Sequence, residues 1–571
     1  MRLDWPLARS QKVPRVAKGE RNNLNEGDTI PSRPMTVEPV NTGRILSYII
    51  PGALLIALGF LFFSNTAIDD TYISLWPAWS LSHGKGIINY SGDHVEISST
   101  LLWVLLIAFL NKLIGLGIVG AAYAAALIFG LAATGLSTFV ANQIRHGAGL
   151  YAGLLTATCL PVVNWSMSGM EMTLAAFLYL LTAYAWHLTL GKQRSPAFAI
   201  LPTWLTIMVR PEMPICLGLF SAFAAWQGWR KKNAASGVYL VFIVLAASAA
   251  LVAFRLWYFH APFPQPVTAK TGGPLWPNII HGSQYLAAAF TTAFLWPALA
   301  FAAYGTLKNA VLTLAAALAI YLSFIVAVGG DFVQAGRFFV PAMPLMCVIA
   351  AIGISATKFH RIVVSAVVAA QLAACIIFAL TDSRGMVLPD AVFVRRLPIA
   401  QGRGWFEIAN RGVLRDTEVA KYLHDLAANA DIGRDLIIAS HQMGFVLYNT
   451  AIEAGAHIKV HDFFGLQDRM LTERATPSLK HGRLGIENGE IIYFNLVESG
   501  AITPPDVIYM FGPLPDSKYI SDHYIVGLKQ TGTVLALPFG RPIVADQYVL
   551  VRTELASRLG SRAGMSKTTL H

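Results

Sequence analysis

The chain has 571 residues, of which 55% are hydrophobic and only 13% charged, with a formal net charge of +11. An ordinary soluble domain carries about 25% charged residues, so the composition excludes a wholly soluble protein. The basic excess lies in short clusters between long apolar runs, not in a stripe interleaved with aromatics, which sets nucleic acid aside and points to a lipid bilayer.

Residues 1–43, rich in Pro, Asn, Glu and Arg, read as a disordered cytoplasmic tail that is too long and polar for a cleavable signal peptide. Residues 44–381 form the membrane domain. A crossing helix needs about 20 apolar residues. Candidate spans are Ile45–Phe63, Ile118–Ala141, Leu150–Val163, Thr173–Leu190, Ala197–Val209, Ile215–Trp229, Val238–Trp257, Tyr285–Leu307, Ala310–Val328, Phe339–Ala356 and Ile362–Leu380. Leu101–Ile114 is apolar but interrupted by Asn111 and Lys112, and is placed in the outer interface. With about eleven spans, the clusters Arg145-His146, Lys192/Arg194, Arg230-Lys231-Lys232 and Lys358/His360/Arg361 all fall on the cytoplasmic side with the N-terminus. The four cysteines, Cys159, Cys216, Cys347 and Cys375, all lie in apolar runs and read as small buried hydrophobes.

The same parity sends the unusual polar residues outward: the loop 67–117, Asn164–Glu171, Arg210–Glu212, Arg255–Gly282, Gly329–Arg337 and a C-terminal domain, 382–571. Directly after the first span stand Asp69 and Asp70. A carboxylate at a membrane boundary is costly and is read as functional by default. Neighbouring carboxylates tend to raise one pKa, which suits a general base; the structural alternative is a helix N-cap. In the C-terminal domain TEVAKYLHDLAANA has helical periodicity, whereas DLIIAS, HIKVHDFF, DVIYMF and QYVLVR have strand character, which predicts a soluble α/β sandwich. No His, Asp or Glu cluster has ligand spacing, and a divalent metal is left open.

The run DDTYISLWPAWSLSHGKGIINYSGDHVEISSTLLWVLLIAFL resembles the first outer loop of bacterial GT-C membrane glycosyltransferases, above all the group with the mycobacterial terminal β-(1→2)-arabinofuranosyltransferase. The likeness falls on Asp69, Asp70, Tyr72, Ile73, Ser74, Gly84, Gly86, Asn89, Glu96, Leu102 and Trp103. It continues in Gly169-Met170-Glu171, in Arg210-Pro211-Glu212, in Gly329-Gly330-Asp331-Phe332 with Gly336-Arg337-Phe338 and Pro341, and in Asp462, Gly465, Leu466, Asp468 and Arg469. The chain departs from the pattern at Trp76–Trp79, at Ile97-Ser98-Ser99, and at Gln265 in a loop that otherwise keeps Tyr258, Pro264, Thr268 and Lys270.

The resemblance implies an inverting transferase of the bacterial inner membrane that moves a sugar, arabinofuranose by analogy, from a polyprenyl-phosphate donor to a periplasmic glycan or glycoprotein. Asp69 would be the base and Asp70 its orienting partner. Arg337 would be first among the phosphate-binding cations, ahead of Lys270, Arg255 and Arg210, because guanidinium grips phosphate bidentately; a snorkelling Arg is the alternative. Asp331, Glu171 and Glu212 would meet the sugar or pair with nearby Arg, and Tyr72, His83, Asn89, Glu96, Asp462, Asp468 and Arg469 would face the acceptor. Transfer of mannose or another sugar, a lipid A-type modification, and transport of a lipid-linked sugar are the rival readings.

Overall fold

The structure, a computed structural model, describes residues 42–63, 69–271, 273–308, 311–331, 335–380, 418–428, 434–453, 458–475 and parts of 480–559. The amino-terminal tail, the start of the C-terminal domain at Asp382, and Phe332 lie outside the described residues.

Long apolar runs are largely helical, and Pro51 is accommodated inside the first of them. Among the described residues, six are long and apolar enough to cross a membrane: Thr42–Phe62, Ile118–Ile144, Met172–Leu190, Ala234–Phe259, Arg337–Ser355 and His360–Ala379. The chain is thus a multi-pass membrane protein. Leu275–Thr292 and Trp296–Leu307, bent by 102° between them, make a seventh if counted as one span. The other expected runs are also helical, but are shorter, broken or, in Met213–Arg230, not apolar enough, so the count of about eleven is not recovered. Leu150–Val163 divides into Gly149–Ala157 and Leu160–Ser166, with Cys159 extended between them and Pro161 in the first turn of the second helix. Proline has no N–H to continue the preceding hydrogen-bond ladder, and its ring fits a helix start. Leu101–Ile114 is a separate helix with the predicted bounds, closed by left-handed Gly115.

The bundle has two chemically distinct ends. Arg145 donates to the Ser355 carbonyl (3.1 Å), and Tyr151 meets His360 (2.7 Å). Asn233 donates to the Thr189 carbonyl (3.2 Å). The basic clusters therefore gather pairwise at the same ends of neighbouring helices. Glu171 and Leu190 bracket the 19-residue helix Met172–Leu190, so the acidic end lies about 28 Å away at 1.5 Å per residue.

The C-terminal part holds a mixed five-stranded sheet ordered Ile458–Asp462, Leu436–Ser440, Val507–Phe511, Ile543–Arg552, Tyr524–Leu535. The first three strands are parallel, with Leu436 opposite Ile458 and Ile438 opposite Val507; the last two join antiparallel. All four expected strands are present. Tyr524–Leu535, which has no apolar alternation strong enough to announce it, is an addition. Residues 418–428 form the predicted helix.

This sheet is fastened to the membrane part. Ser91, in the first loop, hydrogen-bonds both ways with Val460 of the edge strand: the Val460 N–H donates to Ser91 Oγ (2.9 Å), and Ser91 Oγ donates to the Val460 carbonyl (3.2 Å). Gln265 donates through Nε2 to the Gly465 and Asp468 carbonyls (2.9 and 3.2 Å) and to Thr472 Oγ1 (2.8 Å). A glutamine is long enough for this reach, so the departure at this position serves docking.

Candidate active site

Asp69 and Asp70 open the helix Asp69–Ser82. Successive residues on a helix point about 100° apart, and the two carboxylates diverge. Asp69 accepts the N–H groups of Gly444 (Oδ2, 3.0 Å) and Phe445 (Oδ1, 2.8 Å), capping the start of the helix Phe445–Glu453 across the junction. Tyr72, one turn on, packs its ring against Phe445 and Tyr448, with centroids 4.9 and 5.4 Å apart. Tyr72 is therefore part of the same junction. Thr71 donates to the Ser168 carbonyl (3.1 Å), tying this helix to the segment before Gly169.

Asp70 turns the other way. Its Oδ2 accepts from Arg337 Nη1 at 2.6 Å, while Arg337 Nε and Nη2 grip both oxygens of Asp331 at 2.6 and 3.0 Å. The Asp331 side chain is only 2% exposed, that of Arg337 5% and that of Asp70 27%, so Asp70 is the member of this triad that faces open space. The Gly329-Gly330 turn makes the arrangement fit. Gly330 has φ +71°, and a Cβ there would lie 2.6 Å from the Tyr285 ring. Only glycine allows both the left-handed backbone and the close approach.

Burial alone would raise the Asp70 carboxyl. The nearby charges of Arg337 and Lys270, with the Arg337 hydrogen bond, bring it below its ordinary value. The expected raised carboxyl within the pair is therefore not what Asp70 shows, because the near neighbours of its charge are cations and Asp69 points elsewhere. Lys270, at the end of the short helix Gln265–Lys270, is held below the ordinary lysine value by burial, which the Asp70 charge opposes.

A second ion network adjoins the first. Arg210 Nη1 donates to Glu171 Oε1 (2.5 Å), and its Nε donates to Glu212 Oε1, which also accepts from the Tyr321 hydroxyl (3.1 Å). Glu171 Oε2 is buried without a hydrogen-bond partner. Phe338 lies between the two guanidinium groups, its centroid 5.0 Å from Arg210 and 5.3 Å from Arg337. Such cation–π contacts fix the planes of both groups.

Asp70, Glu171, Arg210, Glu212, Lys270, Arg337 and Phe338 line one cavity of about 390 Å³. Its remaining wall is largely apolar, from Ile73, Ile97, Ile215, Val267, Phe324, Ile325 and Val328. Ser74, Ser98, Ser99 and Thr100 add a hydroxyl patch, with Ser74–Ser98 and Ser98–Thr100 oxygen pairs both at 2.9 Å. The departure at Ile97-Ser98-Ser99 thus falls on the cavity wall. Leu466 reaches the same wall from the C-terminal sheet.

Other candidate residues do not line this cavity. Glu96 and Arg255 are buried against each other, with Nε–Oε2 at 2.7 Å and Nη2–Oε1 at 3.0 Å, pinning the first loop to the helix Ala234–Phe259. His83 is exposed and stacks on Trp79 at 4.3 Å. Asn89 accepts the Asp93 N–H (2.8 Å) in a turn of the first loop. Asp468 caps the helix Arg469–Arg474 and meets His461 Nδ1 at 2.7 Å. Arg469 donates to the Phe259 carbonyl. Among the described residues no group of three or more His, Cys, Asp or Glu is placed to hold a metal ion.

Asp462 is fully buried and accepts the N–H groups of Leu466 (2.8 Å), Gln467 (2.7 Å) and Asp468 (3.2 Å), shaping the turn that carries Leu466. Burial pushes its carboxyl from 3.8 up to about 6, opposed by the Gln467 and Leu466 donors and assisted by the Asp468 charge. Between these two values the folded turn keeps a proton that the unfolded chain has released. Its stability is therefore expected to fall as pH rises from about 4 to about 6, by up to roughly 3 kcal/mol, and to level off above. Hydrogen exchange of the Leu466 and Gln467 amides, corrected for intrinsic rates, reads this slope, and Asp462→Asn should flatten it. An unchanged slope in the variant would assign it to another group.

Apolar helices with a polar end and an appended mixed sheet make a helical membrane fold with a C-terminal α/β part. No protein-family model and no curated protein sequence matches the chain. Among solved structures it is similar to ArnT from Cupriavidus metallidurans in the apo state, with TM-score 0.51 and 12% identity over 89% of this chain and 98% of that one. It is also similar to ArnT bound to undecaprenyl phosphate (TM-score 0.49, 13% identity, 89% and 98% covered). A third similar structure is the oligosaccharyltransferase AglB from Archaeoglobus fulgidus with an inhibitory peptide and a dolichol-phosphate (TM-score 0.49, 10% identity, 90% and 76% covered). At such identities the likeness is one of fold.

Proposed function

We propose that the protein is an inverting glycosyltransferase that takes a sugar, arabinofuranose on the motif resemblance, from a polyprenyl-phosphate donor and transfers it to a glycan or glycoprotein acceptor on the periplasmic face of a bacterial inner membrane. The observation that carries this reading is the meeting of Asp70, Arg337 and Lys270 at one wall of a cavity otherwise largely apolar. A lipid-linked sugar phosphate needs both halves of such a cavity: cations for the phosphate and a greasy wall for the first isoprene units.

In this reading Asp70, not Asp69, takes the acceptor proton, because Asp70 borders the cavity while both oxygens of Asp69 accept backbone N–H groups elsewhere. The acceptor oxygen bonds to the anomeric carbon as the bond from that carbon to the phosphate oxygen breaks. The acceptor proton passes to the Asp70 carboxylate, and the bonding pair leaves with polyprenyl phosphate. Arg337, held rigid by Asp331, and Lys270 stabilise the charge that grows on the leaving phosphate, an effect strengthened by exclusion of water. Glu171, with Oε2 unpartnered, accepts a hydroxyl of the sugar.

Purified protein in liposomes, given polyprenyl-phosphoryl arabinofuranose or polyprenyl-phosphoryl mannose with a mixed glycan extract, tests the reaction and the sugar together. Transfer from the pentose donor alone is the expected result. Transfer from the mannosyl donor would replace the sugar, and consumption of neither would remove the reaction.

A further inference from the structure

A second chamber, of about 540 Å³, lies between the first loop and the C-terminal sheet, outside the cavity described above. Its volume is within the usual range for ligand sites, roughly 300–1,000 Å³. Asn89, Val95, Val460 and Gln467 form a buried floor, whereas Asp93, His94 and Lys459 stand exposed around the rim. Gln467 is 2% exposed, and its Nε2 donates to the Val460 carbonyl (2.7 Å), yet its Oε1 has no partner. Arg469 Nε is likewise buried without a partner. A buried polar atom left unpaired costs about 1–3 kcal/mol, so both atoms await something that hydrogen-bonds.

The chemistry of the wall narrows what that is. Asp93 and Asp468 balance Lys459 and Arg469, so the chamber offers no net charge to attract a phosphate or an acidic peptide. Amide, carboxylate, guanidinium and imidazole groups together suit hydroxyls, which donate and accept at the same atom. Val95 and Met470 supply an apolar patch for the C–H face of a sugar ring. The chamber is also close to the reaction cavity. Leu466 lines one and Gln467 the other, as consecutive residues of the same Asp462-braced turn.

We propose that this chamber binds neutral carbohydrate, namely the sugar residues adjoining the one that reacts, so that the acceptor is an oligo- or polysaccharide. This rests on the transferase reading for its consequence, but not for its test. Saturation-transfer NMR on the full-length protein in nanodiscs, without donor, is run with neutral arabinan- and mannan-derived oligosaccharides, a sulfated oligosaccharide and a serine/threonine-rich peptide as probes. Binding of a neutral oligosaccharide is expected, weakened about tenfold by the rim variant Asp93→Ala/His94→Ala through loss of one or two hydrogen bonds. Asp70→Asn should leave this binding intact.

In transfer assays the rim variant should raise KM for an oligosaccharide acceptor by a similar factor, with kcat and the KM for a monosaccharide acceptor unchanged. Preference for the sulfated probe or for the peptide overturns the proposal, as does neutral binding that the rim variant leaves unaltered. Oligosaccharide binding in a protein that transfers no sugar would keep the chamber and discard the reaction.

Discussion

Asp70→Asn is expected to lower the transfer rate by about 10²–10⁴-fold, the range lost when a positioned base is removed, while donor binding persists. The amide keeps the size of the carboxylate, so the cavity should retain its shape. It cannot accept the acceptor proton, and it presents either a carbonyl or an NH₂ group to Arg337 Nη1, now 2.6 Å from Asp70 Oδ2. Single-turnover consumption of lipid-linked sugar separates chemistry from binding, and photo-crosslinking of the donor reports the latter. Because Arg337 and Lys270 hold the Asp70 carboxyl below its ordinary value, it is ionised throughout the neutral range. Its acid limb should therefore fall below the ordinary carboxylate range. Asp69→Asn is the contrasting variant: it keeps one acceptor oxygen for the Phe445 N–H and loses the other, so it should act through docking. Near-normal rates in Asp70→Asn with a chemical defect in Asp69→Asn would return the base to Asp69.

Gly444→Ala is expected to have an effect of comparable size by an unrelated route. A Cβ at this position would overlap the Asp69 carbonyl oxygen and lie 2.5 Å from its carboxyl carbon. Neither partner has room to yield, since one is backbone and the other holds the cap of Phe445–Glu453. Overpacking of this kind costs about 1–3 kcal/mol. The larger loss is in alignment, because the sheet that carries Leu466 would lift from the helix Asp69–Ser82. A misplacement of about 1 Å at a reaction centre can cost 10²-fold. A cysteine pair at Tyr72 and Phe445, whose rings now lie 4.9 Å apart, should be bridged by a short bis-maleimide in the otherwise native protein and not in the variant. Gly135→Ala, where a Cβ meets nothing within 4 Å, is the control. Full transfer with intact cross-linking in Gly444→Ala would show the junction to be softer than its geometry.

The helical runs were readable because lipid demands unbroken apolar segments, and each expected run is helical. Their breaks were not. The run Tyr285–Leu307 looks continuous as composition, yet the chain turns through 102° between Thr292 and Trp296, and Phe294 takes a left-handed conformation there (φ +51°). The polar residues that meet in the cavity were legible one by one, as charges at the ends of apolar runs. Their pairing, Glu171 and Glu212 to Arg210 and Asp70 and Asp331 to Arg337, depends on how helices distant in sequence pack. The divergence of Asp69 and Asp70 was in principle available from helix geometry, since adjacent positions do not share a face. What Asp69 caps was not, because Gly444 carries no local sign of its role. Ser74 is legible as a match to the motif and Ser98-Ser99 as a departure from it, but their meeting with Thr100 on one wall is not; hydroxyls near apolar runs are too common to stand out.

The Asp69 cap has one more consequence. A carboxylate at the first helix of the outer loop terminates a helix some 375 positions later in the chain, so neither half is a cassette. Chimaeras that exchange the C-terminal portion between relatives should fail unless the donor segment brings both the glycine and the two N–H groups that receive Asp69. Directed shuffling of acceptor preference would best swap the loop and the sheet as one inheritance unit.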